Sequence, residues 1–344
     1  MPCWEFPPML TGGLGVACAG LAEELKGLVD LRVVASGEQV GAYEGDDLGD
    51  LGERVDAFTR EILDQQANAG LIHAHDWMSF PAAMSIQAER GIPFVAHIHS
   101  LEIDRSGPSG SSWIQGIERE GMHAADRVIV VSQYTARMAV DHYGVDPGKI
   151  RIVHNGVTEV NASRAEVPGP CVLFMGRMTG QKAPDVFLDA AFQVAARLPH
   201  VEFVMAGRGV LLDALRERVA HSPFADRIRF PGFLERSEIQ ELLARTTVCC
   251  MPSRSEPFGL VALEAAQFGV PTVLSGQAGV SEVLRSNPVV GVGDVNGFAS
   301  RIMELLRDES RRADLGRRVR EEADAATWRA AADKIVGIYR TLVG

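Results

Sequence analysis

The sequence predicts an α/β fold built from two doubly wound parallel-sheet domains, and three observations carry that prediction. Short β-branched runs alternate with longer helical patterns along the chain. A polar stretch at 158–170 with two prolines separates two such series. The length of 344 residues supports two cores at about 100–200 residues each, with no metal or disulfide staple needed for folding.

In the first series, strands are expected at 31–36, 71–75, 93–99 and 127–132. Helical patterns at 15–26, 55–69, 80–90, 113–124 and 134–142 separate them, and a further strand at 150–153 precedes the Asn155-Gly156 turn. The second series has strands at 171–176, 201–207, 227–230, 247–252 and 271–274, with helices at 184–198, 211–221, 236–245 and 260–268. Shorter helical patterns follow from 296, and 328–342 is the last. Two doubly wound domains facing one another bind ligands beyond the carboxyl ends of their strands.

Composition narrows the function. Hydrophobic residues at 46% and charged residues at 23% are globular values. A net charge of −11 repels phosphate backbones, so nucleic acid is not expected as a partner. No apolar run approaches the roughly 20 residues of a membrane span, and the opening Met1-Pro2-Cys3-Trp4-Glu5-Phe6 lacks the regions of a signal peptide. Cys3, Cys18, Cys171, Cys249 and Cys250 form no C-x-x-C pair, which reads as reduced, mostly buried thiols of a cytoplasmic protein.

The chemistry is sought at the strand ends. Thr11-Gly12-Gly13-Leu14-Gly15 precedes a helix, so its amides could meet an anion, although glycine pairs there are often plain turns. Gly176 to Lys182 leaves a buried strand and brings Arg177 and Lys182 into one loop, either as ligands of a diphosphate or as solvated surface charges. Glu256-Pro257-Phe258-Gly259-Leu260 opens a helix that carries Glu264 among apolar neighbours, where a carboxylate calls for hydroxyl donors or an unseen base. Helical rise would set Glu256 and Glu264 about 12 Å apart, beyond the spacing of about 5–9.5 Å in hydrolase acid pairs. His73-Ala74-His75-Asp76 and His97-Ile98-His99 raise a rival, metal-dependent hydrolysis, yet neither H-x-H-x-D-H nor H-E-x-x-H is present. Strand-end histidines bonded to backbone are the plain alternative.

Trp4-Glu5-Phe6-Pro7-Pro8, the glycine loop and His75-Asp76-Trp77 together resemble the opening domain of family-four retaining nucleotide-sugar glycosyltransferases and of glycogen and starch synthases. The resemblance continues through His97 to Gly107, Ala125 to Ser132, Val153-His154-Asn155-Gly156-Val157, the Arg177–Lys182 loop and the E-x7-E segment from Glu256 to Glu264. It implies a GT-B fold, two Rossmann-like domains at 1–158 and 159–326, and a final crossover helix at 327–344 that returns to the first. By the same resemblance Arg177 and Lys182 hold the donor diphosphate, Glu264 the ribose, and Glu256 with the amides of Phe258, Gly259 and Leu260 the transferred sugar and phosphate. Gly12 and Gly13 close over the donor, His99 contacts the donor sugar, and Asp76 and Asn155 belong to the substrate-binding set.

The implied partners are a UDP-, ADP- or GDP-sugar and an acceptor hydroxyl, such as that of a glucan, with no metal or other cofactor. A sugar-nucleotide epimerase or hydrolase on the same fold, or a silent sugar-nucleotide-binding protein, are the alternatives. Three departures from the family pattern stand out: only Met1-Pro2-Cys3 precede Trp4, the stretch 40–51 is short and acidic, and Ala183 replaces a glycine. With order 3-2-1-4-5, the first sheet would lack its central strand, so the chain is expected either to start inside a longer sequence or to have a looser first domain.

Overall fold

The computed structural model describes residues 1–8, 12–36, 48–65, 69–160, 163–165 and 169–344. Thr11 of the glycine motif, most of the acidic stretch 40–51 and part of the 158–170 boundary lie outside the described residues. The chain divides into two compact units, Met1–Thr158 with Ala326–Gly344, and Glu159–Ala325.

Unit one runs β1 (Pro2–Cys3), α1 (Gly13–Leu25), β2 (Val34–Ala35), α2 (Leu48–Asp64), β3 (Ile72–His75), α3 (Phe80–Arg90), β4 (Phe94–Ile98), α4 (Glu102–Ser106), α5 (Ser112–Ala124), β5 (Arg127–Val130), α6 (Gln133–Tyr143) and β6 (Ile150–Ile152). Its sheet is parallel, in the order β2-β1-β3-β4-β5-β6. β3 and β4 are buried along their whole length, as strands covered by helices on both faces must be, and they carry His73, His75 and His97 among their apolar residues. Helix boundaries follow local chemistry: the Ser132 hydroxyl accepts from the Thr135 amide to start α6, and left-handed Gly91 and Gly144 end α3 and α6.

The expected gap in this sheet is filled. Pro2 and Cys3 pair with Val34 and Ala35 on one side, and Cys3 pairs with His75 on the other. Two residues suffice because β2 is equally short, and because β1 lies next to the edge strand rather than at the centre, contrary to the order 3-2-1-4-5. Cys3 and Trp4 are buried, so the slot holds apolar side chains.

Unit two runs β7 (Cys171–Met175), α7 (Pro184–Ala195), β8 (Glu202–Ala206), α8 (Leu212–Ala220), β9 (Ile228–Gly232), α9 (Arg236–Arg245), β10 (Val248–Met251), α10 (Leu260–Gln267), β11 (Thr272–Ser275), β12 (Val289–Val290), α11 (Val295–Arg307) and α12 (Glu309–Asp324). Its parallel sheet has the order β12-β11-β10-β7-β8-β9. Numbered from β7, that is the doubly wound order 3-2-1-4-5-6 read from the other edge. The two-residue β12 is too short to stand out in the sequence. α11 and α12 span 13 and 16 residues, longer than the short patterns expected there.

α13 (Trp328–Val343) belongs to unit one. The Val157 amide donates to the Ala326 carbonyl at 2.9 Å, and Thr327 caps the helix by accepting from the Ala330 amide at 3.1 Å. Gly156 and Gly20 make room for it: a Cβ on Gly156 would sit 2.2 Å from the Trp328 backbone nitrogen, and one on Gly20 2.4 Å from the Trp328 ring. Both units are thus parallel α/β layers, and both sheets present the carboxyl ends of their strands to the loops that carry the sequence motifs.

Candidate functional site

In unit two, the connections from neighbouring β7 and β10 leave in opposite directions, so a crevice opens between their carboxyl ends. The loop after β7 carries Arg177 and Lys182. Arg177 Nη2 donates to Gln181 Oε1 at 2.8 Å, and Lys182 Nζ donates to Glu256 Oε2 at 2.7 Å and Oε1 at 2.9 Å. The Ser253 hydroxyl adds a third hydrogen bond to Glu256, at 3.0 Å. The Arg254 amide donates to the Gln181 carbonyl at 2.8 Å, and its guanidinium forks onto Asp185 at 2.6 and 3.1 Å, which ties the two loops together.

Glu256 therefore faces a lysine of the loop after β7, a pairing that its distance in sequence conceals. It also precedes α10 and bridges Ala278 in extended conformation, so helical rise does not set its separation from Glu264. Phe258 is buried, and Gly259 at φ +111° opens α10 where a Cβ would lie 2.9 Å from Met251 Sδ. The amides that begin a helix have no partner within it, and they lie here beside the Lys182–Glu256 pair. Glu264 lies one turn into α10; burial pushes its carboxyl up to about 7, against the pull of Arg236.

Sequence reasoning missed Gly207-Arg208-Gly209, directly after β8. The Met178 amide donates to the Arg208 carbonyl at 2.7 Å, and the Leu211 amide to the Met178 carbonyl at 2.9 Å. Gly207, at φ +134°, comes so near Gly176 that a Cβ would sit 2.0 Å from its carbonyl oxygen. This contact braces the Arg177 loop from below. A Gly-x-Gly directly after a buried strand was the available signal. Ala183, where a glycine was expected, adopts φ 51° in the left-handed region.

In unit one the strand ends hold the other set. Asp76 follows β3 at φ 56°, buried, and its Oδ1 accepts from the His99 amide at 2.7 Å. Burial pushes its carboxyl up to about 7, opposed by that amide and by Arg105. His99 is half-buried; desolvation pushes its imidazole down to about 3, which keeps it neutral at pH 7. Its Nε2 lies 2.9 Å from His75 Nδ1. His73 Nε2 meets His97 Nδ1 at 3.1 Å, and His73 Nδ1 meets the Tyr339 hydroxyl at 2.5 Å.

The histidines thus bond to one another, not to backbone, and burial holds His73, His75 and His97 well below the usual range. His73, His75 and His97 bring ring nitrogens within 4.8 Å of one another, as do Cys3, Cys18 and His75 through their sulfur and nitrogen atoms. The turn after His99 is anchored by Arg105, which donates to Ser100 Oγ at 2.7 Å, Glu102 at 3.1 Å and Glu118 at 2.9 Å. Gly12 and Gly13 are exposed at the start of α1, and Asn155 is buried before the crossover.

Comparisons with known proteins point one way. Residues 158–322 match the model "Glycosyl transferases group 1", and residues 11–159 match "Glycosyltransferase Family 4". A D-inositol 3-phosphate glycosyltransferase of Catenulispora acidiphila is 30% identical over 87% of this chain and 78% of its own length. The glycogen synthase of Mycobacterium tuberculosis is 26% identical over 98% and 93%. Among solved structures, sucrose-phosphate synthase from Thermosynechococcus elongatus superposes with a TM-score of 0.84 at 20% identity, covering 99% of both chains. Anabaena HepE in complex with UDP-glucose gives 0.78 at 18% identity, covering 99% of this chain and 100% of that one. Among the described residues, no helix is long and apolar enough to cross a membrane.

Proposed function

We propose, from the premise that this chain belongs to the family 4 glycosyltransferases of GT-B fold, that it moves a hexosyl group from a nucleotide-diphosphate sugar to an acceptor hydroxyl with retention of the anomeric configuration. The observation that supports this reading best is the cluster at the switch point of unit two, where Arg177, Lys182, Glu256 and the start of α10 converge. Two cations and a helix start suit a diphosphate. The half-buried carboxylate of Glu264 suits paired ribose hydroxyls, and for it no hydrogen bond is found among the described residues.

In the proposed reaction the bond from the anomeric carbon to the diphosphate oxygen breaks while the acceptor oxygen bonds to that carbon on the same face. The acceptor proton passes to an oxygen of the departing phosphate. Negative charge grows on the leaving group as the bond breaks, so Arg177 and Lys182 stabilise the transition state more than the bound donor. With two fixed cations in that role, the step as proposed uses no metal ion. Lys182 is held by Glu256, whose carboxylate also accepts from Ser253, before a donor arrives, so the diphosphate competes with Glu256 for one ammonium, and a sugar hydroxyl then takes up the released carboxylate. Within unit one, His99, neutral and clamped by Asp76 at its amide, presents an imidazole suited to a sugar hydroxyl, and the exposed Gly12 and Gly13 at the start of α1 suit an anion.

The neighbour bound to UDP-glucose and the relative that makes glycogen favour a glucosyl donor and a glucan acceptor. Thermal-shift screening against UDP-, ADP- and GDP-glucose tests the donor: a ligand at 100 times its Kd adds about 2.7 kcal/mol to stability. Transfer is then assayed with a glucan and with an inositol phosphate, and the anomeric configuration of the product is read by NMR. An inverted product refutes retention. Absence of both stabilisation and transfer with every donor refutes the reading.

A further inference from the structure

We propose that unit one holds one thiophilic closed-shell cation, Zn2+ or Cu+, on Cys3, Cys18 and His75. The three residues come from β1, α1 and β3, all are fully buried, and their ligand atoms lie within 4.8 Å of one another. Cys3 and His75 are register partners on adjacent parallel strands, which sets their side chains on the same face of the sheet. Two thiols and one imidazole are a soft donor set, suited to these ions and not to Mg2+ or Ca2+.

An independent observation points to a ligand. His75 Nδ1 is taken by His99 Nε2 at 2.9 Å, whereas His75 Nε2 is buried with no hydrogen-bond partner among the described residues. Buried imidazole nitrogens are normally paired, and a cation supplies what this one lacks. Metal-bound histidines characteristically use their second nitrogen to contact another polar group, and His75 does so. The second histidine group is less suitable. Both nitrogens of His73 are engaged, with Tyr339 and His97.

The consequence reaches the site described above without depending on glycosyl transfer. A cation on His75 Nε2 leaves the ring hydrogen on Nδ1, which donates to His99 Nε2, so that His99 carries its own hydrogen on Nδ1. That atom is buried and has no hydrogen-bond partner among the described residues. The same cation would pin Cys18, and with it the first turns of the helix that begins at Gly13, to the sheet.

The test uses the full chain, stripped with chelator under reducing, anaerobic conditions. Zn2+ is titrated against a chromophoric chelator and Cu+ against a Cu+-selective one, and X-ray absorption is then measured on the loaded protein. The expected result is one equivalent of one of the two ions per chain, with two sulfur ligands at about 2.3 Å and, for Zn2+, a nitrogen at about 2.0–2.1 Å. Cys18→Ala should lose that equivalent, while Cys249→Ala, which removes a buried thiol of unit two, should keep it. If Cys18→Ala does not fold, the absorption spectrum of the unsubstituted protein decides. No stoichiometric binding of either ion, a ligand shell without sulfur, or full binding by folded Cys18→Ala overturns the proposal. None of these readouts involves sugar transfer, so the proposal and the transferase reading fail separately.

Discussion

The two units share one architecture and bury different things in it. Below its strand ends, unit one packs His73, His75, His97, Asp76, Glu102, Asp104 and Glu118, all nearly inaccessible, and satisfies many of them with one another. The described charges of unit two lie mostly in loops and on the surface, and the interiors of β7, β8 and β10 are Val, Leu, Phe, Met, Cys and Ala. A parallel sheet tolerates either content provided that each buried polar atom finds a partner. Unit two is therefore a rigid apolar stage for a charged crevice, whereas unit one has a titratable interior whose state depends on solution conditions.

The sharpest way to break this contrast is to remove the crevice charges. Arg177→Ala or Lys182→Ala should lower transfer by at least about a hundredfold, or about 2.7 kcal/mol of transition-state stabilisation. Wild-type turnover in both variants would show that the charge of unit two is ornamental.

Acid should separate the units next. His73, His75, His97 and His99 have lowered values in the folded state, so the unfolded chain binds more protons, and stability falls as pH drops below about 6.5. Asp76 and Glu118, each pushed up to about 7 by burial, act oppositely, because their folded forms take up protons between pH 7 and their ordinary range. Four groups against two leave the unfolded chain about two protons ahead, so unit one loses roughly 3 kcal/mol per pH unit near pH 5. In unit two Glu264, also raised to about 7, gains stability on the same acidification. Hydrogen exchange at pH 7 and pH 5, corrected for intrinsic rates, should show protection falling in unit one alone; equal losses in both units would contradict it.

Packing offers a finer comparison. Gly20→Ala drives a methyl into the Trp328 ring and should cost unit one about 1–3 kcal/mol, measured by denaturant unfolding. Gly116→Ala, with nothing within 4 Å, should be neutral or slightly stabilising. Glu264→Ala should raise the donor KM about tenfold, or about 1.4 kcal/mol, with kcat little changed. Because hydroxyl donors favour the ionised carboxylate, donor affinity should rise between pH 6 and pH 8 in the unsubstituted enzyme and not in the variant. Ala183→Gly, which relieves a left-handed alanine, should add up to about 1 kcal/mol to the stability of unit two, measured by denaturant unfolding.

How much of this could be read from the sequence differs between the units for the same physical reason. Buried parallel strands favour near-continuous apolar runs, so β4, β7, β8 and β10 announce themselves, and capping residues such as Ser132 and Thr327 mark where helices begin. The strand-end loops carry their chemistry in residue type, so Arg177, Lys182, Glu256, Glu264, Asp76 and His99 stood out as candidates before any coordinate was known. Two-residue strands leave no period to detect, which is why β1 and β12 eluded the pattern, while β2 occupies only Val34–Ala35 of the strand expected at 31–36. The sheet order, and with it the place of β1 beside the edge, depends on which strands pair across dozens of residues.

By itself, then, the sequence determined the class of fold, the alternation of its elements and the chemical character of its loops, because these follow from local periodicity and side-chain type. Only the tertiary structure decided that Lys182 meets Glu256 across 74 positions, that Gly207 backs onto Gly176, and that His75 stands between His99 and two thiols. Such meetings are settled by strand order and by the close approach of backbones, and no stretch of neighbouring residues encodes either one.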